Sequence, residues 1–156
     1  MQINLYTDGA ARGNPGPGGY GIVLEWPEKR YRKEFAEGFK HTTNNRMELL
    51  AVIEGLRKLK SDGMQVTVYT DSKYVADAVE KKWVFGWERK YFKDRKNADL
   101  WKQFLVEFRK HQVHFVWIKG HNNHPQNERC DALAVAASKQ PNLKEDSGFN
   151  EASDNE

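Results

Sequence analysis

Cysteine is almost missing from this sequence: Cys130 is the only one in 156 residues. A lone thiol excludes an intramolecular disulfide framework and fits a reducing compartment such as the cytoplasm. Long apolar runs are missing too, and nothing approaches the ~20 residues that cross a bilayer. Met1 to Asp8 lacks the basic start and small-residue cleavage site of an export leader, so the expectation is a soluble chain that stays inside the cell. There is no internal repeat and no composition break that would mark a second domain. A zinc centre is disfavoured as well. His121, His124 and Cys130 are close in sequence, but no fourth ligand is evident and Cys130 sits in a helical pattern that buries it.

What is present suits one compact domain. Hydrophobic residues make up 38% and charged residues 30%, an ordinary globular balance for a length that buries about two-thirds of its unfolded surface. The net charge of +3 is unevenly spread. Residues 142–156 carry five acids (Glu145, Asp146, Glu151, Asp154, Glu156) against Lys144, which leaves the rest of the chain at +7. A basic body implies an anionic partner, nucleic acid first, although many basic surfaces are merely solvated. The expected organisation is one domain over 1–140 and a mobile acidic tail over 141–156.

Gln2 to Asp8 alternates apolar and polar residues, a strand pattern that ends at Asp8-Gly9. The run from Gly13 to Gly19 is turn-forming. Tyr20 to Trp26 and Tyr31 to Phe39 read as further strands, and the short connections predict an antiparallel meander. Leu49, Val52, Ile53, Leu56 and Leu59 then recur at helical spacing and predict a helix over Asn45 to Lys60. Gln65 to Tyr69 reads as a fourth strand, followed by a helix from Asp71-Ser72 to about Lys82. Residues 83–98 read as irregular. Leu100 to Lys110 is helical, Val113 to Ile118 a fifth strand, and Asn127 to Ala137 a last helix. The fold class is therefore α/β: a mixed five-stranded sheet, three antiparallel strands and then parallel ones, flanked by helices.

Several acids fall at telling positions. Asp8 and Asp71 end strands that would run parallel, so both carboxylates would emerge at the same sheet edge, where α/β folds hold ligands. Glu48 sits in the first turn of the helix crossing that sheet. Each also has a plain structural reading: Asp8-Gly9 as a hairpin turn, Glu48 with Asn45 as a capping box, Asp71 as an N-cap, and Asp131 as a solvated helix residue. Gathered carboxylates repel, and protons or hard cations must relieve that repulsion. Magnesium suits such a site because it takes a few carboxylates and accepts phosphate oxygens as further ligands.

Seven segments then occur in order: Tyr-Thr-Asp-Gly at 6–9, Gly-Asn-Pro-Gly-Pro-Gly-Gly-Tyr-Gly at 13–21, Thr-Thr-Asn-Asn-Arg-Met-Glu-Leu at 42–49, Thr-Asp-Ser at 70–72, Asp-Leu-Trp at 99–101, Trp-Ile-Lys-Gly-His at 117–121 and Asn-Glu-Arg-Cys-Asp at 127–131. With these the chain resembles the ribonuclease HI family, bacterial-like, over nearly its full length. The resemblance implies endonucleolytic hydrolysis of the RNA strand of an RNA–DNA hybrid, leaving 5′-phosphate and 3′-hydroxyl ends. It implies two Mg2+ ions, with Mn2+ as the other option. Asp8, Glu48 and Asp71 would ligate one ion, and Asp8 with Asp131 the second; Asp131 rests on the resemblance alone. His121 matches a family histidine that would move a proton or aid product release.

Asn14, Asn44 and Asn45 resemble residues that contact the hybrid's minor groove or backbone, and asparagine both donates and accepts, as a 2′-hydroxyl requires. Thr43 resembles part of a DNA-phosphate pocket, although Thr43 to Asn45 also fit simple helix capping. Residues 81–96 hold seven bases and two acids, interleaved with Trp83, Phe85, Trp87, Tyr91 and Phe92. They are similar to the basic protrusion of the bacterial family, in a shorter form. Trp83, Lys90, Lys93 and Lys96 are its expected contacts, while Trp87 and Trp101 also fit the core. Lys73 stands where many relatives have glutamine, which exchanges a groove hydrogen bond for a phosphate contact. No hybrid-binding domain precedes the catalytic one, so processivity is not expected; a monomer is.

Two rivals remain. A resolvase- or integrase-like nuclease would share the carboxylates but should lack the Thr-Thr-Asn-Asn-Arg-Met-Glu segment and the protrusion. A non-catalytic duplex-binding module would share the basic segment, but four acids facing phosphate would weaken its binding.

Overall fold

The computed structural model describes residues 2–120 and 124–156. Three strands come first: β1 (Gln2–Ala11), β2 (Gly16–Trp26) and β3 (Tyr31–Thr42), with a short 3-10 turn over Pro27–Lys29. There follow α1 (Asn44–Arg57), β4 (Gln65–Thr70), α2 (Lys73–Glu80), α3 (Trp83–Arg89), α4 (Ala98–Phe108), β5 (Gln112–Trp117), α5 (Pro125–Ser138) and α6 (Glu151–Asp154). The sheet order is β3-β2-β1-β4-β5. β1 pairs antiparallel with β2 and parallel with β4, and β4 pairs parallel with β5. The mixed five-stranded sheet is the one expected from the strand pattern.

β1 is central, and both of its faces are covered. On one face Leu5, Ile22 and Val68 meet Val52 and Ile53 of α1 and Trp101 and Phe104 of α4, all buried. On the other, Tyr6 and Val23 pack with Cys130 of α5. Two glycines permit this closeness. A Cβ at Gly9 would fall 2.4 Å from the Glu48 backbone nitrogen, so α1 approaches β1 there only over glycine. A Cβ at Gly21 would fall 2.2 Å from the Cys130 carbonyl oxygen, which sets α5 directly on β2.

Local signals explain the helix starts. The Thr43 hydroxyl accepts from the Arg46 amide at 3.3 Å, so Thr43 caps α1 and the helix begins at Asn44. The Ser72 hydroxyl caps α2 in the same way through the Val75 amide. The plain structural alternatives, a capping box for Glu48 with Asn45 and an N-cap for Asp71, therefore do not arise.

Two regions depart from expectation. Residues 83–89, read as irregular, form α3. Its start follows Lys82 at φ 64°, and the turns after it place Tyr91, Phe92, Asp94 and Asn97 at φ 54–60°. Val84 and Phe92 are buried beneath this knob, while Trp87 packs on Trp101. The segment after 140, expected to be mobile, lies against the domain. Lys144 bridges to Phe39, with backbone bonds of 2.8 and 2.9 Å to Lys40 and Gly38. Fully buried Arg46 binds Asp99 at 2.8 Å, Asp146 at 2.7 Å and Asp154 at 3.4 Å. Composition counts these acids but cannot show their partner. Withdrawing the segment after 140 would take Asp146 and Asp154 from the buried guanidinium and leave it Asp99 alone; breaking a buried ion pair costs about 3–5 kcal/mol.

Candidate active site

Three elements deliver three carboxylates to one point. Asp8 lies near the end of β1, Asp71 follows the last residue of β4, and Glu48 is in the first turns of α1. Oxygens of Asp8, Glu48 and Asp71 lie within 4.8 Å of one another. Asp8 and Glu48 are buried, and Asp71 is partly exposed. The Gly9 amide donates to Glu48 Oε1 at 2.5 Å and fixes that side chain. Asp131, on α5, lines the same cleft of about 480 Å³. Its negative charge adds to the field at Asp8 and helps to raise that carboxyl.

Crowding leaves an electrostatic mark. Burial, and then the charge of Asp71, pushes the Asp8 carboxyl up to about 8. Burial and the charges of Asp8 and Asp71 raise Glu48 well above the usual carboxylate range, against the pull of the Gly9 amide. Buried carboxylates that cannot all ionise together call for a proton or a hard cation.

The other expected residues divide into groups. Asn44, Asn45 and Lys73 line the carboxylate cleft. Asn14 stands beside them, its Oδ1 accepting the Asn44 amide at 2.9 Å. Thr43 is fully buried in its capping role. Trp83, Lys90 and Lys93 line a separate basin with Lys82, Arg89 and Arg95, and the Trp83 ring is half exposed. Lys96 is not in that basin; its ammonium donates to the Asn155 carbonyl. His121 lies outside the described residues. His124 caps α5 and packs against Tyr6, its centroid 5.5 Å away, and the Cys130 thiol donates to the Tyr6 carbonyl.

Sequence reasoning passed over two residues. Asn127 lines the cleft, and its buried Oδ1 has no hydrogen-bond partner among the described residues. Its position one helical turn before Asp131 was the available signal. Trp117 ends β5 with its indole donating to the Asp71 carbonyl at 3.0 Å, and the Lys73 ammonium sits 4.7 Å over its ring.

Sheet and site together define an α/β protein with a carboxylate cluster at the carboxyl ends of parallel strands. Comparison with known proteins makes the class specific. The family model described as RNase H matches residues 1–139. A ribonuclease H of Desulforamulus reducens is 54% identical over 147 residues, covering 91% of each chain. One from Aeromonas salmonicida is 49% identical over 152 residues, covering 94% of this chain and 96% of its own. Among solved structures, LC9-RNase H1, a type 1 RNase H with the type 2 active-site motif, superposes with a TM-score of 0.78 at 33% identity, covering 88% of this chain and 72% of that one. LC11-RNase H1 in complex with an RNA/DNA hybrid gives 0.69 at 27% identity, covering 86% and 95%. The chain belongs to the ribonuclease H family and is an enzyme, a nuclease of the hydrolase class. No helix among the described residues is long and apolar enough to cross a membrane.

Proposed function

We propose that the protein cuts the RNA strand of RNA–DNA hybrids internally, using two magnesium ions, or manganese in their place, and leaving 5′-phosphate and 3′-hydroxyl ends. The observation that carries this reading is the convergence of Asp8, Glu48 and Asp71 oxygens within 4.8 Å. Hard, partly buried oxygen donors that raise one another's proton affinity fit a divalent cation. Asp8, Glu48 and Asp71 would hold one ion, and Asp8 with Asp131 the other. Bound there, such ions supply activation of a water and stabilisation of the leaving oxygen in an in-line phosphodiester displacement.

The chain's own residues do the rest. The Gly9 amide orients Glu48, and the Trp117 indole holds the backbone of Asp71. His121 would carry a proton, a role that rests on the family resemblance. Asn14, Asn44 and Asn45 stand together beside the cleft, suited to ribose hydroxyls and backbone oxygens. Thr43 would act from beneath, by holding the α1 amides in place. Lys73, Trp83, Lys90, Lys93 and Lys96 would meet the strands as the duplex leaves the cleft. That LC11-RNase H1 was solved with an RNA/DNA hybrid supports this choice of substrate. The reading takes the protein as a monomer in a reducing cytoplasm, in keeping with its single, buried, unbridged cysteine.

The test incubates labelled RNA–DNA hybrid, double-stranded DNA and double-stranded RNA with magnesium or with EDTA. Magnesium-dependent loss of the hybrid's RNA strand alone is expected. Asp8→Asn should abolish cutting and leave hybrid binding largely intact. Cleavage of DNA, or binding without cutting by the unaltered protein, would sink the proposal.

A further inference from the structure

The last residues of the chain sit on the surface assigned above to the nucleic-acid backbone. The Glu156 carboxylate accepts from the Asn14 side-chain amide through one oxygen and from the Asn45 backbone amide through the other. Asn45 is in the first turn of the 14-residue helix α1, where amides lack intrahelical partners and anions are favoured. That turn holds no acid of its own to satisfy them. The Asn155 carbonyl takes the Lys96 ammonium. Three residues assigned to the hybrid, Asn14, Asn45 and Lys96, are thus engaged by two consecutive residues of the protein itself.

The placement is built, not incidental. Asp154, two residues before Glu156, is buried and accepts from the Asn97 amide at 2.8 Å and the Asn150 amide at 3.0 Å. The same carboxylate reaches Arg46 at 3.4 Å. Asn150 caps α6, which delivers Asp154 to this position. A tether of two residues from a fixed anchor gives Glu156 a high effective concentration at its seat.

We propose that residues 155–156 are an intramolecular competitor for the substrate, the Glu156 carboxylate occupying the place of a backbone phosphate. This rests on the hybrid-binding reading. A carboxylate and a phosphodiester are anions that take the same N–H donors, so one excludes the other at Asn14 and Asn45. Binding of the duplex must displace Glu156, and the apparent affinity falls by the fraction of molecules in which the seat is open. The contact is solvent-exposed, so the barrier is modest and salt-sensitive. Asp154 and its anchors stay in place when Glu156 swings out. The device tunes binding and leaves the carboxylate site unchanged.

The experiment compares the unaltered chain, Glu156→Ala and Glu145→Gln. Glu145 is an equally charged acid of the same segment that pairs with Lys40 and touches neither asparagine. Hybrid Kd is measured in EDTA, kcat and KM in magnesium, and the Asn45 and Asn14 amide resonances are followed by NMR. Glu156→Ala should lower Kd and KM by about three- to tenfold at low salt, with kcat unchanged. It should also shift both amide resonances, while Glu145→Gln does neither. Four outcomes overturn the proposal: an unchanged or raised Kd in Glu156→Ala, an equal gain from Glu145→Gln, resonances that do not move, or a fall in kcat. If the unaltered chain cuts hybrid and Glu156→Ala changes nothing, only the competitor falls. If neither protein binds or cuts hybrid, the nuclease reading falls and takes the competitor with it.

Discussion

The Gly9 amide donates to Glu48 Oε1 at 2.5 Å, tying helix α1 to strand β1 one residue beyond Asp8. The bond exists because glycine lets the two backbones close up: a Cβ at position 9 would lie 2.4 Å from both the Glu48 nitrogen and the Met47 carbonyl carbon. Backbone atoms cannot rotate out of the way as a side chain can. Gly9→Ala should therefore push α1 outward, at a cost of about 1–3 kcal/mol. Because Glu48 rides on that helix, kcat should fall by about a hundredfold. Thermal denaturation and single-turnover kinetics check both parts. A destabilised variant with normal kcat would show that the carboxylate spacing does not depend on this contact.

The raised carboxyls make the metal-free protein sensitive to pH in an unusual direction. Unfolded carboxyls titrate near 4, whereas Asp8 in the fold is pushed up to about 8 and Glu48 is raised as well. Between those limits the folded state binds more protons than the unfolded one. Its stability contribution is full below the unfolded value and is lost as pH rises through the folded one. His111, held low by burial, works the other way near its ordinary range. The informative quantity is thus the difference between the unaltered protein and Asp8→Asn. In EDTA, raising the pH from 5.5 to 8.5 should lower the Tm of the unaltered protein more than that of the variant. Saturating magnesium should shrink the gap. Parallel curves in EDTA would mean that the cluster carries no extra proton.

How legible the site was differs from residue to residue. Asp8 and Asp71 were readable because β1 and β4 pair parallel as far as Tyr6 opposite Tyr69, which brings the acids just beyond to one edge, although β1 itself continues past the expected Asp8-Gly9 turn to Ala11. Glu48 was placed on its helix facing the other two acids, and there it stands; its plain alternative, a capping box, gives way because Thr43 takes the cap and Glu48 reaches across to Gly9. Asp131 could not be oriented from pattern. In α5 the small and apolar residues crowd into its second half, four of them alanine, at no helical spacing, so no apolar stripe marks its buried face. That face is chosen by glycines of the neighbouring strands, with Gly19 under Ala134 and Gly21 under Cys130. Helix α3 was missed because seven residues are fewer than two full turns to establish a period. The last segment was misread because its acids are held by Arg46, a residue 100 positions away in sequence from Asp146.

The structure also divides the basic segment, and this yields a graded prediction. Lys90 and Lys93 share a basin with Trp83, whereas Lys96 is spent on the Asn155 carbonyl. Removing one lysine–phosphate pairing should reduce the slope of log Kd against log salt by about 0.9. Lys90→Ala with Lys93→Ala should therefore weaken hybrid binding and flatten the slope by about 1.8, the sum of two such pairings. Lys96→Ala removes a hybrid partner but also releases the segment that bears Glu156. The two changes oppose each other, so its Kd should move less than that of either single change at 90 or 93. Filter binding of a labelled hybrid across a salt series in EDTA measures all of these. An unchanged slope in the double variant would remove the basin from the hybrid-binding surface. A weakening by Lys96→Ala as large as that by Lys90→Ala would deny that Lys96 is engaged within the chain.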